Sequence, residues 1–185
     1  MCGRFYLFFD DDGKQTRLYH KVSELSVAYA QKEIYPSQHA LVLIEGNYEY
    51  NVSVMKWGIS SYKGSLLINA RSEGIHEKKT FIPMLSKRCL IPCNGFYEWK
   101  QNKKIYIYEK EEPIFYLAGI YNQDHEFVIV TGEADNQMKQ VHHRTPIIIK
   151  DKDVDAYLHH DCEFAVDNEN LGFRLEDSNE KLSKS

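Results

Sequence analysis

The stretch Arg88-Cys89-Leu90-Ile91-Pro92-Cys93-Asn94-Gly95-Phe96-Tyr97-Glu98-Trp99-Lys100 contains two short runs of apolar and aromatic residues. The runs Cys89 to Pro92 and Gly95 to Lys100 have the length of strands and are rich in residue types that favour strands. Three more such runs follow along the chain, at Ile105 to Glu109, Ile114 to Tyr121 and Phe127 to Thr131. This half of the sequence therefore predicts consecutive strands.

The rest of the chain adds strands separated by short helices. Further strands are predicted at Cys2 to Phe9, Ala40 to Ile44, Tyr48 to Trp57, Leu66 to Ile68 and Ile147 to Ile149. Helices are predicted at Val22 to Ala30, His76 to Arg88, Asn136 to His142 and Asp151 to His160. Many strands without a βαβ rhythm indicate an α+β fold: a curled, mostly antiparallel, barrel-like β-sheet with short flanking helices. We expect one domain over residues 1–170 and a polar acidic tail over residues 171–185.

The bulk composition is that of a soluble globular protein. The chain has 185 residues, of which 43% are hydrophobic, with a net charge of −4. No apolar run reaches the ~18–20 residues of a membrane span, and no secretory signal precedes the fold, so we expect a cytoplasmic protein with reduced cysteines. Acids outnumber bases only in residues 161–185. A neutral body is unsuited to coating DNA non-specifically, which favours a structure-specific or covalent mode of binding.

The amino terminus, Met1-Cys2-Gly3-Arg4-Phe5, carries distinctive chemistry. Methionine aminopeptidase removes Met1 before a residue as small as cysteine, which leaves an α-amine and a thiol on adjacent carbons. Their reference pKa values, about 7.7–8.0 and about 8.5, leave nucleophilic fractions of both near neutral pH. Such a 1,2-aminothiol condenses with an aldehyde to a Schiff base and then closes as a thiazolidine. The alternative is that Cys2 is simply a small residue after the initiator.

Three polar residues stand within or just after predicted strands. Asn69 and Arg71 follow an apolar run and can face the same side of a strand; an Asx turn with a solvated Arg71–Glu73 pair is the alternative. Glu98 lies among aromatic residues, where partial desolvation suits a carboxyl group to general acid/base work. Glu98 could equally point to water from an edge strand.

Histidines and cysteines raise two further possibilities. His142, in His142-His143-Arg144-Thr145-Pro146, could shuttle protons, although it could also be a histidine that merely ends a helix. Cys89 and Cys93 are four residues apart, but no second close cysteine pair completes a set of zinc ligands, so we predict no metal site.

Taken together, these segments resemble the SOS response-associated peptidase family, the abasic-site-processing proteins. The matching segments are Met1–Phe5, Pro36-Ser37-Gln38, Trp57-Gly58, Asn69–Glu73, Arg88–Trp99, Thr131–Ala134 and His142–Pro146. They occur in the family's order and extend over residues 1 to about 160. The resemblance implies a role in the DNA damage response, without a cofactor, as a monomer that binds single-stranded DNA and meets replication-fork proteins.

The resemblance also implies roles for individual residues. Cys2 would link to the ring-opened sugar of an abasic site through a thiazolidine, with Asn69 orienting the reactants by hydrogen bonds. Glu98 would be the acid/base beside the α-amine, and His142 would protonate the opening sugar oxygen. The residues implied to contact DNA are Arg4 and Arg71, which would hold phosphates, Trp57, on which a base would stack, and Ser72 and Pro36.

The chain departs from the family pattern in places, and other functions stay open. The segment Ile59–Gly64 is short, Thr145 replaces a residue that is usually apolar, and His143 replaces one that is often acidic. One alternative is an N-terminal-nucleophile cysteine amidohydrolase of the glutaminase type. Others are a thiol peptidase that releases its own Met1 and a non-catalytic DNA binder.

Overall fold

A computed structural model describes residues 2–11, 14, 16–62, 64–160, 163–165 and 170–176 of the chain. Its strands are β1 Arg4–Leu7, β2 Lys32–Ile34, β3 His39–Ile44, β4 Asn51–Trp57, β5 Ile59–Ser60, β6 Leu66–Leu67, β7 Asn69–Arg71, β8 Arg88–Cys93, β9 Gly95–Lys100, β10 Lys103–Glu109, β11 Phe115–Tyr121, β12 Glu126–Glu133, β13 Arg144–Pro146, β14 Ile148–Ile149 and β15 Leu171–Glu176. Its α-helices are α1 Arg17–Ser23 and α2 Val154–Leu158, and 3-10 turns lie at Ser72–Glu77, Ile82–Met84, Met138–Gln140 and Asp151–Asp153.

The larger sheet closes on itself. Its hydrogen-bonded path runs from β12 through β4, β3, β8 and β11, and β11 pairs again with β12. The pairings are antiparallel except where β12 runs parallel to β4 and β7. A second sheet has the strand order β15-β10-β9-β1-β2 and is antiparallel throughout. The prediction of an α+β fold with a curled, mostly antiparallel sheet is confirmed.

Aromatic packing joins the two sheets. Trp57, at the end of β4, has its ring 5.1 Å from that of Phe5 in β1 and 6.4 Å from that of Phe127 in β12. Its Nε1–H donates to the carbonyl oxygen of Ile68 over 3.0 Å. Because Phe5 packs against the barrel through this ring, the first strand and the residues before it are held at a fixed place on the core.

Three of the four predicted helices differ from the structure. The predicted helix at Val22 to Ala30 is wrong in its bounds, since Thr16 caps α1 by accepting from the Tyr19 N–H and that helix ends at Ser23. The predicted helix at His76 to Arg88 is replaced by two 3-10 turns. Non-helical dihedral angles at Gly74 interrupt the first, and a proline stands at the start of the second. At Asn136 to His142 only the 3-10 turn Met138–Gln140 forms.

The predicted acidic tail begins too early. Leu171–Glu176 forms β15, which pairs with β10 over six residue pairs, and Leu171 is buried. Glu176, which was assigned to the tail, forms an ion pair with Lys104 across this pairing at 3.4 Å. Residues 177–185 lie outside the described residues. No helix in the described part of the chain is long and apolar enough to cross a membrane.

Candidate active site at the amino terminus

Strand pairing brings Glu98 to the start of the chain. β1 runs antiparallel to β9 with Arg4 opposite Tyr97 and Phe5 opposite Phe96. The same register continued by one step sets Glu98 opposite Gly3, and period-two alternation turns Glu98 to the face that carries Phe96. Glu98 is only 3% exposed. The predicted desolvation of Glu98 is therefore confirmed, and the alternative of an edge-strand carboxylate in water is wrong.

Cys2 is buried beside this carboxylate. Its Sγ donates to the Arg4 carbonyl oxygen over 3.6 Å. Burial raises the pKa of the Cys2 thiol, and the negative charge of Glu98 raises that pKa further. The sulfur is thus held as a neutral thiol rather than as a thiolate. Met1, whose removal is predicted, lies outside the described residues.

Asn69 ties a second strand to the amino terminus. Its Nδ2 donates to the Cys2 carbonyl oxygen over 2.9 Å, so the side chain bonds to a residue 67 positions away rather than forming an Asx turn. β7 is held in place by its parallel pairing with β12, in which Asn69 lies opposite Ile129. The Asn69 Oδ1 is buried and has no hydrogen-bond partner among the described residues. A buried amide oxygen in this state is ready to accept from a group that is introduced beside Cys2.

His142 is anchored at one ring nitrogen by Arg144. Its Nδ1 lies 3.0 Å from the Arg144 backbone nitrogen and 3.2 Å from the Arg144 carbonyl oxygen. A backbone N–H can only donate, so neutral His142 accepts at Nδ1 and carries its proton on Nε2. A protonated ring can donate from Nδ1 to the carbonyl instead. The ring is therefore held in either charge state, with Nε2–H as a proton donor.

His143 is less suited to this role. Its ring stacks on that of His142 at 4.3 Å. The pKa of His143 is lowered by His142, and also by the positive charges of Arg144 and Arg71. His143 is thus biased toward its neutral form, while the backbone orients His142.

An ion pair between buried Arg144 and exposed Glu73 holds the His142 segment against the 3-10 turn that follows β7. Arg144 donates to both carboxylate oxygens of Glu73, over 2.7 and 2.9 Å, and to the Thr131 carbonyl oxygen over 2.7 Å. These hydrogen bonds lower the pKa of Glu73. In β12, Thr131 pairs with Arg71 on one edge and with Pro146 on the other. Sequence reasoning missed this pair and considered Glu73 only as a solvated partner of Arg71, although both residues of the pair lie in the quoted motifs.

The residues predicted to contact DNA differ in how exposed they are. The prediction that a base stacks on Trp57 is wrong, because the Trp57 ring is fully buried between Phe5 and Phe127. Arg71 is exposed at the end of β7, and the next residue, Ser72, is half-buried. Pro36 is also half-buried.

Arg4 lies between two exposed aromatic rings that sequence reasoning did not single out for DNA. Its Cζ is 4.6 Å from the Tyr35 ring centre and 4.9 Å from that of Trp99, and its Nη1 is 3.0 Å from Glu33 Oε1. Tyr35 is 40% exposed and Trp99 is 38% exposed. Alternation along β9 contains part of the missed signal, because if Glu98 faces the core, Trp99 lies on the opposite face of the sheet with Tyr97. Tyr97 on that face is buried, and only the end of the strand, with Trp99, is exposed.

The histidines and cysteines do not assemble into a metal centre within the described ranges, where no group of three or more His, Cys, Asp and Glu side chains is placed to hold an ion. Cys89 and Cys93 are buried free thiols, and burial raises the pKa of each. Cys162 lies outside the described residues.

Comparison with known proteins gives matches over nearly the whole chain. A sequence model described as SOS response associated peptidase (SRAP) matches residues 1–181. The abasic site processing protein YoqW of Bacillus subtilis is 32% identical over 180 residues, which cover 85% of this chain and 80% of YoqW. The abasic site processing protein YoaM of the same organism is 34% identical over 173 residues, covering 80% of this chain and 75% of YoaM. The crystal structure of a Bordetella bronchiseptica protein matches the fold with a TM-score of 0.76 at 16% identity, covering 95% of this chain and 100% of that one.

Proposed function

The chain belongs to the SOS response associated peptidase family, and we propose that it captures abasic sites in single-stranded DNA through a covalent bond to Cys2. Relatives that share about a third of its residues are named abasic site processing proteins, which supports the substrate class. The observation that carries the chemistry is the junction of three segments at the amino terminus. Asn69 bonds the Cys2 carbonyl oxygen, and the charge of buried Glu98 acts on the Cys2 thiol.

The proposed reaction balances without a cofactor. Removal of Met1 frees the Cys2 α-amine, which attacks the aldehyde carbon of the ring-opened sugar and loses one water to form an imine. The thiol then adds to the imine carbon, and its proton passes to the imine nitrogen. Carbon–nitrogen and carbon–sulfur bonds form, the carbonyl oxygen leaves as water, and nothing is oxidised or reduced.

Glu98 favours this order of events. As a carboxylate it can take a proton from the ammonium form of the α-amine and return that proton to the hydroxyl group that leaves as water. Ionised again, it can then stabilise the cationic iminium. The same charge raises the pKa of the thiol, so sulfur stays protonated until the electrophilic carbon is beside it. The amine therefore acts first and the thiol second.

Asn69 and His142 complete the proposed site. The Asn69 Nδ2 fixes the Cys2 carbonyl, while its Oδ1 is positioned to accept from the new α-amine or from a sugar hydroxyl. His142 would give its Nε2 proton to the sugar ring oxygen as the ring opens, and its anchored Nδ1 keeps that proton directed away from the Arg144 backbone.

The flanking DNA would follow the exposed groups around Cys2. Arg71 offers a guanidinium to a phosphate. Tyr35 and Trp99 offer the stacking surface that buried Trp57 does not, and stacking contributes about 1–3 kcal/mol per base. Arg4 supports these two rings from between them and is paired with Glu33.

A denaturing gel tests the proposal directly. Protein shown by intact mass to lack Met1 is mixed with single-stranded DNA that contains one abasic site, and a denaturation-resistant, size-shifted band is expected. Cys2→Ala should abolish the band. Cys2→Ser keeps the α-amine but not the sulfur, so its band should form only when borohydride reduces the imine. A stable band from Cys2→Ala, or no band from the processed parent protein, would contradict the mechanism.

The same variants identify how Met1 is removed. We infer that an aminopeptidase removes Met1 without help from the Cys2 thiol. Alanine at position 2 is also small enough for the specificity of that enzyme, so Cys2→Ala tests the inference. Intact mass should then show Cys2→Ala without Met1. Retention of Met1 in that variant alone would indicate that the Cys2 thiol cleaves its own peptide bond.

A further inference from the structure

A cleft opens where β7 ends. It has a volume of about 680 Å³ and lies next to Ser72, the last of the residues predicted to contact DNA. Three of its walls come from separate parts of the chain. They are the 3-10 turn that carries His76, the start of β8 with Arg88, and the end of α2 with His160 and the following Phe164.

The polar groups of this cleft suit an anion. The carboxylate of Glu73 on its wall is bonded by Arg144 through both oxygens, which offsets its negative charge. Arg88 packs over the Phe164 ring at 4.8 Å, and its Nη1 donates to the Tyr157 carbonyl oxygen over 3.2 Å, so its guanidinium is fixed at the wall. The exposed Glu163 at the rim is the other acid among the described lining residues.

The remaining donors reach the cleft from its two sides. His76 and His160 are both exposed, and Ser72 adds a hydroxyl group. His160 has a left-handed backbone with a φ of 65°, and it follows the residue that caps the C-terminus of α2. A guanidinium, two imidazoles and a hydroxyl around one space match the donors that proteins use for phosphate.

The cleft is close to the proposed reaction centre. Asn69, which bonds Cys2, is three residues before Ser72, and an extended strand covers about 10 Å in that interval. A stacked DNA strand rises about 3.4 Å per nucleotide, so this distance corresponds to roughly three nucleotides. A strand whose abasic sugar lies at Cys2 can therefore reach the cleft.

We propose that this cleft binds a backbone phosphate of the single-stranded DNA on one side of the captured sugar, with the neighbouring base against Phe164. The inference rests on the proposed function for the identity of the ligand. It adds His76, Arg88, His160 and Phe164 to the binding surface and makes recognition asymmetric about the abasic site.

Reversible binding to a stable analogue tests the cleft apart from the chemistry. The probes are fluorescent oligonucleotides with one tetrahydrofuran residue, which has no aldehyde, lengthened one nucleotide at a time on the 5′ or the 3′ side. Fluorescence anisotropy is measured for the parent protein and for a His76→Gln, His160→Asn double variant. Asparagine is chosen at position 160 because it tolerates left-handed backbone. The matched control is His20→Gln with His125→Asn, two exposed histidines outside the cleft, of which His125 also has a positive φ.

We expect the dissociation constant of the parent protein to drop at one length on one side only. This drop should be about tenfold, and the double variant should lose it. In the double variant the slope of log affinity against log salt should also be smaller in magnitude by about 0.7 than in the parent protein. A methylphosphonate at the responsible position should cost the parent protein as much and the double variant nothing further. The control should behave as the parent protein.

Two outcomes would overturn the proposal. One is an identical length dependence for the parent protein and the double variant. The other is an equal loss in the control, which would show a general charge effect. If the parent protein crosslinks abasic DNA but shows no such length step, the cleft is wrong and the function stands. If the step is present but no crosslink forms, the function is wrong and the cleft remains a DNA-binding site.

Discussion

One tryptophan is buried and another is exposed, so substitutions of the two should separate protein stability from DNA binding. Trp57 is fully buried and donates to the Ile68 carbonyl oxygen, whereas Trp99 is 38% exposed beside Arg4. The two perturbations are Trp57→Phe and Trp99→Ala. Both remove an indole ring, but only the first should affect folding and only the second should affect affinity.

The magnitudes follow from the contacts of each ring. Trp57→Phe removes one of the two donors to the Ile68 carbonyl oxygen, which keeps its bond from the Ile129 N–H, so this loss costs about 0.5–1.5 kcal/mol. The smaller ring leaves a void that costs about 1 kcal/mol more. A loss of about 1.5–2.5 kcal/mol in a domain of this size lowers the melting temperature by roughly 3–10 °C. Loss of one stacked base from Trp99 weakens DNA binding by about 1–3 kcal/mol.

Thermal unfolding and anisotropy on tetrahydrofuran DNA measure the two effects separately. Binding is measured well below the melting temperature of Trp57→Phe, so that only folded protein is compared. We expect Trp57→Phe to bind DNA as the parent protein does and Trp99→Ala to melt as the parent protein does. Weaker binding by folded Trp57→Phe, together with parental affinity for Trp99→Ala, would refute the assignment of the stacking surface.

The other predictions concern the acid/base group, the ion pair and a close backbone approach. Glu98→Gln should slow crosslink formation about 10²- to 10⁴-fold without removing the final product, as rapid-quench gels would show; an unchanged rate would remove Glu98 from the mechanism. Because Arg144 lowers the pKa of Glu73, their pairing contributes stability above the unfolded carboxyl pKa of about 4.3 and loses it as pH falls through the folded pKa. Denaturant unfolding across pH 2 to 6 should therefore show a smaller acid-induced loss in Glu73→Gln than in the parent protein, and equal slopes would contradict this reading. Gly95→Ala should lower the melting temperature measurably, because a Cβ there would lie 2.4 Å from the Tyr106 ring and 2.6 Å from a backbone oxygen. A melting temperature equal to that of the parent protein would show that β10 shifts to make room at no cost.

Sequence reasoning succeeded where a local pattern or a family motif determined the outcome. Apolar runs predicted the central strands, and the aromatic neighbours of Glu98 predicted partial desolvation, although they left open which face Glu98 takes. It failed where the answer depended on which of two successive side chains in a strand faces the core. Trp57 and Trp99 both lie in aromatic strands, and only the packing of Phe5 onto the barrel determines that the first is inside.

Long-range charge pairing was the other missing information. The alternative interpretation paired Glu73 with Arg71, but Glu73 pairs with Arg144, 71 residues away. Glu176 was assigned to a tail but bridges to Lys104 in β10. A charged residue in a sequence is compatible with solvent or with any opposite charge, and the fold alone brings these partners together.

The electrostatics of the amino terminus give the proposed reaction its selectivity. A free 1,2-aminothiol would react through sulfur with many electrophiles, because thiolate is a strong nucleophile. Here burial and the Glu98 charge together raise the pKa of the Cys2 thiol, which suppresses the thiolate, while that same charge stabilises a cation on the neighbouring nitrogen. Only an electrophile that first forms an iminium with the amine places its carbon beside the sulfur. An aldehyde does so, whereas an alkylating or oxidising agent does not, so the processed parent protein should resist iodoacetamide at Cys2 while reacting with abasic DNA. Rapid alkylation of Cys2 in the folded protein would contradict this order of steps.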